Sequence, residues 1–296
     1  MTKTILLTGA SGFIGKNIKK SFLSEKYVLL TPSSMELNVA DDVSVDDFFR
    51  KNKVDIVIHG AGKPGHRNAK DPTNIFLTNT KMFFNLEKHK QKYEKMLVLG
   101  SGAIYDMRNY RPKVREENFG DFIPVDEHGF CKYVCGQTIE HSSNIYDLRI
   151  FGIFGKYEDY AIRFISNAIC KTLFDQPITI RQNRYFDFLD VDDLMPVLEW
   201  FTENTPRHHA YNITPDNAVT LYDVACMVRE ISGKNHLAIK VAQEGIALEY
   251  SGTNGRLRRE MPDLTLTPLR KSIEKLYLWY AGNQYLIDRN LLLFDK

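Results

Sequence analysis

Thr4-Ile5-Leu6-Leu7-Thr8-Gly9-Ala10-Ser11-Gly12-Phe13-Ile14-Gly15 is the stretch on which the reading of this chain turns. Ile5 to Leu7 is a short apolar run of the kind that forms a buried strand. It leads into three glycines spaced G-x-x-G-x-x-G. Behind them Phe13, Ile14, Ile18, Phe22 and Leu23 recur at helical spacing. The pattern is strand, tight turn, helix. Gly9 can adopt the backbone conformation the turn needs, Gly12 lets the main chain approach a ligand, and Gly15 lets the helix lie close to the strand. The helix N-terminus offers N–H groups and a positive dipole end to a pyrophosphate. Gly9, Ser11, Gly12, Phe13, Ile14 and Gly15 are therefore candidate dinucleotide contacts.

Working outward, 296 residues suffice for one large domain or two joined ones. Hydrophobic residues make up 43% and charged residues 26%, as in a globular protein. A formal net charge of +2 gives no sign of a nucleic-acid partner. No apolar run approaches the roughly 20 residues that span a bilayer, so no membrane partner is expected. The chain enters a strand at once, so no signal peptide is expected. Cys131 and Cys135 stand at i and i+4, but no second ligand pair accompanies them for zinc. With Cys170 and Cys226 they read as reduced thiols, with no metal, in a cytoplasmic protein.

Residues 27–30 read as the second strand. An acid near the end of such a strand holds the adenosine ribose and repels a 2′-phosphate. Here Thr31-Pro32-Ser33-Ser34 follows, without acid, Arg or Lys. The hydroxyl of Ser33 can donate to a phosphate, which favours NADP and leaves NAD open. Residues 36–39 read as a short third strand, with Asn38 placed to meet an adenine edge beside Val39. An amphipathic helix follows over 42–51. Residues 54–59 form an apolar strand ending in Gly60-Ala61-Gly62, small residues that suit a cofactor lying across the sheet. Lys63 in the next loop is a candidate phosphate or substrate contact, whereas His66 and Arg67 read as surface residues. Asp71-Pro72 signals a helix over 74–92, and 96–99 is a further strand ending at Gly100-Ser101-Gly102. This β-α alternation predicts a doubly wound parallel α/β sheet covered on both faces.

Residues 105–127 are polar and turn-rich and read as a surface excursion over the active site. A helix over 128–141 and a strand over 146–151 follow, then a helix over 161–174 and a short strand over 178–180. Residues 186–191 read as a return to the main sheet. Thr220 and Asp223 resemble a capping box, and a last helical region begins near Arg256.

In order and spacing these motifs resemble the extended short-chain dehydrogenase/reductase family, the sugar-nucleotide epimerases, dehydratases and ketoreductases. The matching pieces are the opening stretch, Asp55-Ile56-Val57-Ile58-His59-Gly60-Ala61, Asn79, and Gly100-Ser101-Gly102-Ala103-Ile104-Tyr105. Leu148-Arg149-Ile150-Phe151-Gly152-Ile153-Phe154-Gly155 and Asp187-Phe188-Leu189-Asp190-Val191-Asp192-Asp193 complete the set. The resemblance implies hydride exchange between a nicotinamide and a sugar carbon. It places Asn79 and Phe151 at the cofactor. It makes Ser101 the residue that orients the sugar oxygen, and Lys132 the residue that holds the ribose and lowers the local pKa. It further implies a homodimer through the helices over 74–92 and 129–141.

Four residues before Lys132, where the pattern has Tyr, stands His128. Tyr133 does not replace it, because it lies about 100° round the helix from Lys132. Three readings stay open: His128 is the acid–base group, with an ordinary pKa of about 6.5; His128 is a substitution that lowers the activity of an enzyme; or the protein binds dinucleotide without turnover, as a regulatory or scaffold protein.

Other departures narrow the reaction. The dehydratases carry an Asp-Glu pair after the Ser, and the GDP-fucose synthases a Cys two residues after it; here stand Gly102 and Ala103. Both speak against dehydration and C3/C5 epimerisation, which leaves 4-ketoreduction or 4-epimerisation of a nucleotide sugar. The short link between strands two and three is similar to that of the ketoreductases. Arg184 and Arg256 are candidates for the nucleotide diphosphate. Arg184 stands two residues earlier than the family's Arg, and Gly152 replaces its Asn. The expected division is a dinucleotide-binding part over 1–156 and 186–212, with a substrate lobe over 157–185 and 213–296.

Overall fold

β1 (Thr4–Thr8) alternates its side chains between two cores, as a strand buried on both faces must. Ile5 and Leu7 enter one cluster and Leu6 the other. The computed structural model describes residues 2–65 and 69–293. β1 leads through the glycine turn into α1 (Phe13–Lys19) and α2 (Leu23–Lys26). There follow β2 (Val28–Leu30), α3 (Asp42–Lys51), β3 (Ile56–His59), α4 (Ile75–Glu87), β4 (Lys95–Ser101), α5 (Glu127–Glu140) and β5 (Ile145–Ile150). The second half runs β6 (Ile153–Phe154), α6 (Phe164–Leu173), β7 (Ile178–Asn183), β8 (Tyr185–Phe186), β9 (Leu189–Asp190), α7 (Leu194–Glu203) and β10 (Ala210–Ile213). β11 (Val219–Thr220), α8 (Leu221–Ile231), β12 (Ile239–Ile246), α9 (Gly255–Glu260) and α10 (Leu269–Gly282) complete it.

Six strands form one parallel sheet in the order β10-β5-β4-β3-β1-β2. Ile18 of α1 and Leu194, Leu198 and Phe201 of α7 cover one face. Val45 of α3, Phe83 and Leu86 of α4, and Ile139 of α5 cover the other. This is the expected doubly wound α/β architecture. A separate apolar cluster joins α6, β7, α8 and α10 through Ile169, Ile178, Val228 and Ile273. It stands beyond the C-terminal ends of the sheet strands and closes a cleft against them. Among the described residues no helix is long and apolar enough to cross a membrane.

Two expected strands are corrected. Residues 36–39 form turns, because Ser33 O accepts from both Glu36 N (3.1 Å) and Leu37 N (2.9 Å) and closes the chain on itself. Residues 186–191 do not join the main sheet: β8 pairs with β11, and β9 with β6. Asp187 between them is buried and bound to Thr214 and Gly252, which holds the segment across the sheet's end. The strand that returns to the sheet is β10, beside β5. Nor is the excursion over 105–127 only a surface feature. Tyr105, Tyr110 and Val114 form a small core with Phe151 and Tyr250.

Candidate active site

Gly9 takes φ +74°, a left-handed conformation that favours glycine, and Gly12 N donates to Gly9 O (3.0 Å) to close the turn. A Cβ on Gly9 would lie 2.6 Å from the Gly60 carbonyl carbon, and one on Gly15 would collide with Gly9 O. These glycines let β1, α1 and the end of β3 meet. α1 has no side-chain cap and no acid in its first turn, so its N-terminal N–H groups fit an anion. Ser11 is exposed on the turn, and Phe13 and Ile14 border the cleft. This cradle fits the pyrophosphate of a dinucleotide.

Beside it, Ala61 N donates to Thr8 Oγ1 (3.2 Å), which also pairs with His59 Nδ1 (2.9 Å). Burial, reinforced by Lys132, pulls His59 down to about 3, so it is neutral. Gly60, Ala61 and Gly62 leave the sheet edge open. Asn79 faces Gly62 and grips both main-chain groups of Lys63, accepting from its N–H (2.6 Å) and donating to its carbonyl (3.0 Å). Lys63 itself is a correction: its ammonium pairs with Asp71 (2.5 Å), and it does not line the cleft. His66 and Arg67 lie outside the described residues.

At the end of β2, Ser33 N donates to the Glu36 carboxylate (2.7 Å), and this bond and one from the Ser33 hydroxyl hold Glu36 below the usual carboxylate range. An acid thus folds back to a place where the linear sequence has none. Asn38 is exposed and accepts from Ala40 N (3.1 Å), so its oxygen caps its own turn instead of standing open to an adenine. Val39 is buried in the core.

Asp126 starts α5 by accepting from Gly129 N (2.8 Å). His128 therefore stands in the first turn and Lys132 one turn later. Ser101, at the extended end of β4, accepts from Ala103 N (3.2 Å). Ser101, His128 and Phe151 line a cleft of about 820 Å³. Lys132 lies on the cofactor side beside His59, Ala61 and Asn79, and its ammonium has no hydrogen-bond or ion-pair partner among the described residues. His128 Nδ1 is buried without a partner among the described residues. Burial first, then Lys132 and Arg163 against Asp126, pushes this imidazole down to about 4. A neutral ring of such weak basicity can accept or donate a hydrogen bond but is a poor base at neutral pH. Tyr133 turns away to Phe119 and Phe130, with ring centroids 5.2 and 6.5 Å distant.

The cleft also carries Arg163, which acts on His128, and Arg181 and Arg184. Burial and the nearby Arg181 lower the pKa of half-buried Arg184, which favours an anion there. Arg256 is a correction: it donates to Glu117 (2.9 Å) and to Ala210 O (3.1 Å), tying α9 to the excursion away from the cleft.

The sequence over residues 5–214 matches the NAD dependent epimerase/dehydratase family. The chain belongs to that family. It is 36% identical to a GDP-L-colitose synthase of Yersinia pseudotuberculosis over 105 residues, a match spanning 34% of each protein. It is 24% identical to an ADP-L-glycero-D-manno-heptose-6-epimerase of Cupriavidus pinatubonensis over 288 residues, 83% of this chain and 85% of that one. Its fold matches the NADP-bound GDP-mannoheptose C4 reductase of Campylobacter jejuni at a TM-score of 0.81 and 16% identity, over 95% of this chain and 98% of that one. The nicotinamide cofactor expected from the glycine turn follows from this membership.

Within the family pattern, the structure accounts for Gly152 in place of Asn. A Cβ there would collide with Asp187 O and the Phe186 ring. Gly102 and Gly252 likewise leave room for the rings of Phe151 and Tyr250. Three glycines thus admit an aromatic wall that the linear sequence did not disclose; its one signal was Gly152 itself. Arg163, Arg181 and Tyr250 were missed for the same reason, since they belong to segments that only the fold brings to the cleft.

Asp187 anchors this wall and carries a pH prediction. Burial pushes its carboxyl up to about 7, against the lowering bonds from Thr214 and Gly252 N. The folded state therefore holds a proton that the unfolded chain releases near 3.8. Stability from this group is complete below that value and is lost as pH rises through about 7. Asp187→Asn keeps an acceptor and has no charge to bury. Thermal unfolding should show the wild-type Tm dropping by several degrees between about pH 4 and about pH 7 relative to the variant.

Proposed function

We propose that this chain is an NAD(P)-dependent 4-ketoreductase of a nucleotide-diphosphate sugar. The observation that carries the reading is the make-up of the cleft. Ser101 and His128 line it beside the dinucleotide cradle, and the same cleft carries Arg163, which acts on His128, together with Arg181 and Arg184 of β7 and the turn after it. A nucleotide sugar has matching parts, a reacting sugar and a diphosphate that guanidinium groups bind. The reduced nicotinamide, when bound, supplies the hydride. Ser101 orients the sugar oxygen, Lys132 holds the nicotinamide ribose, and neutral His128 lends a hydrogen bond. The lobe over 157–185 and 213–296 holds the nucleotide. His128, at the proton-transfer position, is a poor base, and 4-epimerisation must begin by oxidising an alcohol. Reduction is thus favoured over epimerisation. The exposed hydroxyl of Ser34 favours NADP, and Glu36, folded back against Ser33, leaves NAD open. Exposed Leu77 and Phe84 on α4 and Phe130 on α5 support a homodimer through these helices. Cys131, Cys135 and Cys170 are buried thiols, which suits the reducing cytoplasm.

The test is oxidation of NADPH with 4-keto nucleotide sugars, in the wild type and in His128→Tyr. The variant restores a phenol at the proton-transfer position and should raise kcat roughly tenfold or more, within the range of general acid catalysis. Tight NADPH binding without turnover in either protein would favour the dinucleotide-binding regulator, a reading supported by the weak basicity of His128.

A further inference from the structure

Tyr250 has no role in the chemistry described above, yet its hydroxyl stands at Gly102, the residue after Ser101. It comes from the segment between β12 and α9, which is tied down on both sides. Tyr250 N donates to Tyr185 O (2.9 Å), and Tyr250 O accepts from Asp187 N (3.1 Å). The ring stacks on Phe186 at 4.8 Å and 28° and meets Tyr110 at 5.0 Å and Phe151 at 5.2 Å. So clamped, it directs its hydroxyl at the end of β4, where a Cβ on Gly102 would lie 2.7 Å from that oxygen. Ser101 and Tyr110 stand close enough to lower the pKa of that hydroxyl. Tyr110 itself donates to Gly102 O (2.7 Å). The hydroxyls of Ser101, Tyr250 and Tyr110 are thus neighbours, and Ser101 and Tyr250 both border the cleft.

We propose that Tyr250 is the proton donor behind Ser101, supplying from the C-terminal segment the phenol that α5 lacks at His128. The role rests on the reductase reading. As hydride reaches the carbonyl carbon, the C=O π pair moves to oxygen, which takes the Ser101 proton. Ser101 Oγ takes the proton of Tyr250. Water entering the cleft reprotonates the phenolate left behind. The carbonyl is reduced, the nicotinamide is oxidised, and one proton from water is consumed. Burial, with Asp187, holds the Tyr250 hydroxyl up at about 12 against the lowering effect of Ser101, Arg163 and Tyr110. Such a phenol is acidic enough to protonate a sugar alkoxide but scarcely ionised at neutral pH. It suits one-way reduction.

Tyr250→Phe removes only the hydroxyl and keeps the ring contacts. With NADPH and either GDP-4-keto-6-deoxymannose or dTDP-4-keto-6-deoxyglucose as probe, kcat should fall about hundredfold, the lower end of general acid effects. KM and the NADPH dissociation constant should change by less than about threefold. Adding His128→Tyr to that variant should recover at least about tenfold. A Tyr250→Phe enzyme within about threefold of the wild-type kcat overturns the proposal and leaves the reductase reading standing. A wild type that binds NADPH and reduces none of these sugars overturns both. A proton inventory in mixed H2O and D2O on the wild type needs no variant. Curvature from two protons in flight supports the relay, and a linear dependence from one proton overturns it.

Discussion

Gly15→Val should abolish dinucleotide binding and cost the protein a large part of its stability. Even a Cβ at this position collides with Gly9 O and lies 2.7 Å from Ala10 Cα. Those are main-chain atoms of the turn, so neither can swing aside as a side chain would. Either α1 moves away from β1 or the turn opens, and both outcomes break the cradle that Gly12 N closes on Gly9 O. Overpacking of this kind costs roughly 3 kcal/mol or more. At about 2–4 °C per kcal/mol the Tm should drop by about 10 °C. Isothermal calorimetry with NADPH and thermal unfolding read the two effects separately.

Lys132→Met should remove hydride transfer while leaving the fold intact. The ammonium has no hydrogen-bond or ion-pair partner among the described residues, and it lies beside His59, Ala61 and Asn79 at the cofactor side of β3. Its absence breaks no ion pair, so the Tm should stay within a few degrees. kcat/KM should fall about a thousandfold, as expected when a positioned cation at the reacting centre is lost. An independent readout comes from His59, which Lys132 helps to hold down. Its titration by NMR should move upward in the variant and remain below the ordinary histidine value, because burial is the larger cause. An unchanged His59 would mean that Lys132 points elsewhere.

What was legible in the sequence follows a physical division. Local signals were sufficient for the glycine turn, for the alternation of β1 to β5 with their helices, and for the capping of α8, where Thr220 accepts from Asp223 N as its pattern implied. Each is settled by residues within one turn or one strand. The short strand expected over 36–39 failed because Ser33 O offered its N–H groups a nearer acceptor. Arg256 and Lys63 look like phosphate ligands in one dimension, but Glu117 and Asp71 reach them first. The aromatic wall and Tyr250 were out of reach. Tyr250 is separated from Ser101 by 149 positions, and the segments meet through long-range bonds such as Gly252 N to Asp187, Tyr250 N to Tyr185 O and Val114 N to Ser251 O. His128 stood out in the sequence, yet its weak basicity depends on burial and on Lys132 and Arg163 around it, which spacing alone does not convey.

The central claim is that this cleft carries a hydride from a nicotinamide to the C4 carbon of a nucleotide sugar. The measurement is incubation with NADPH deuterated at the transferring C4 position and a 4-keto nucleotide sugar, followed by NMR of the sugar. A single deuterium at sugar C4, in one configuration, is expected. A sugar recovered without deuterium, while NADPH is bound at the glycine turn, would contradict it.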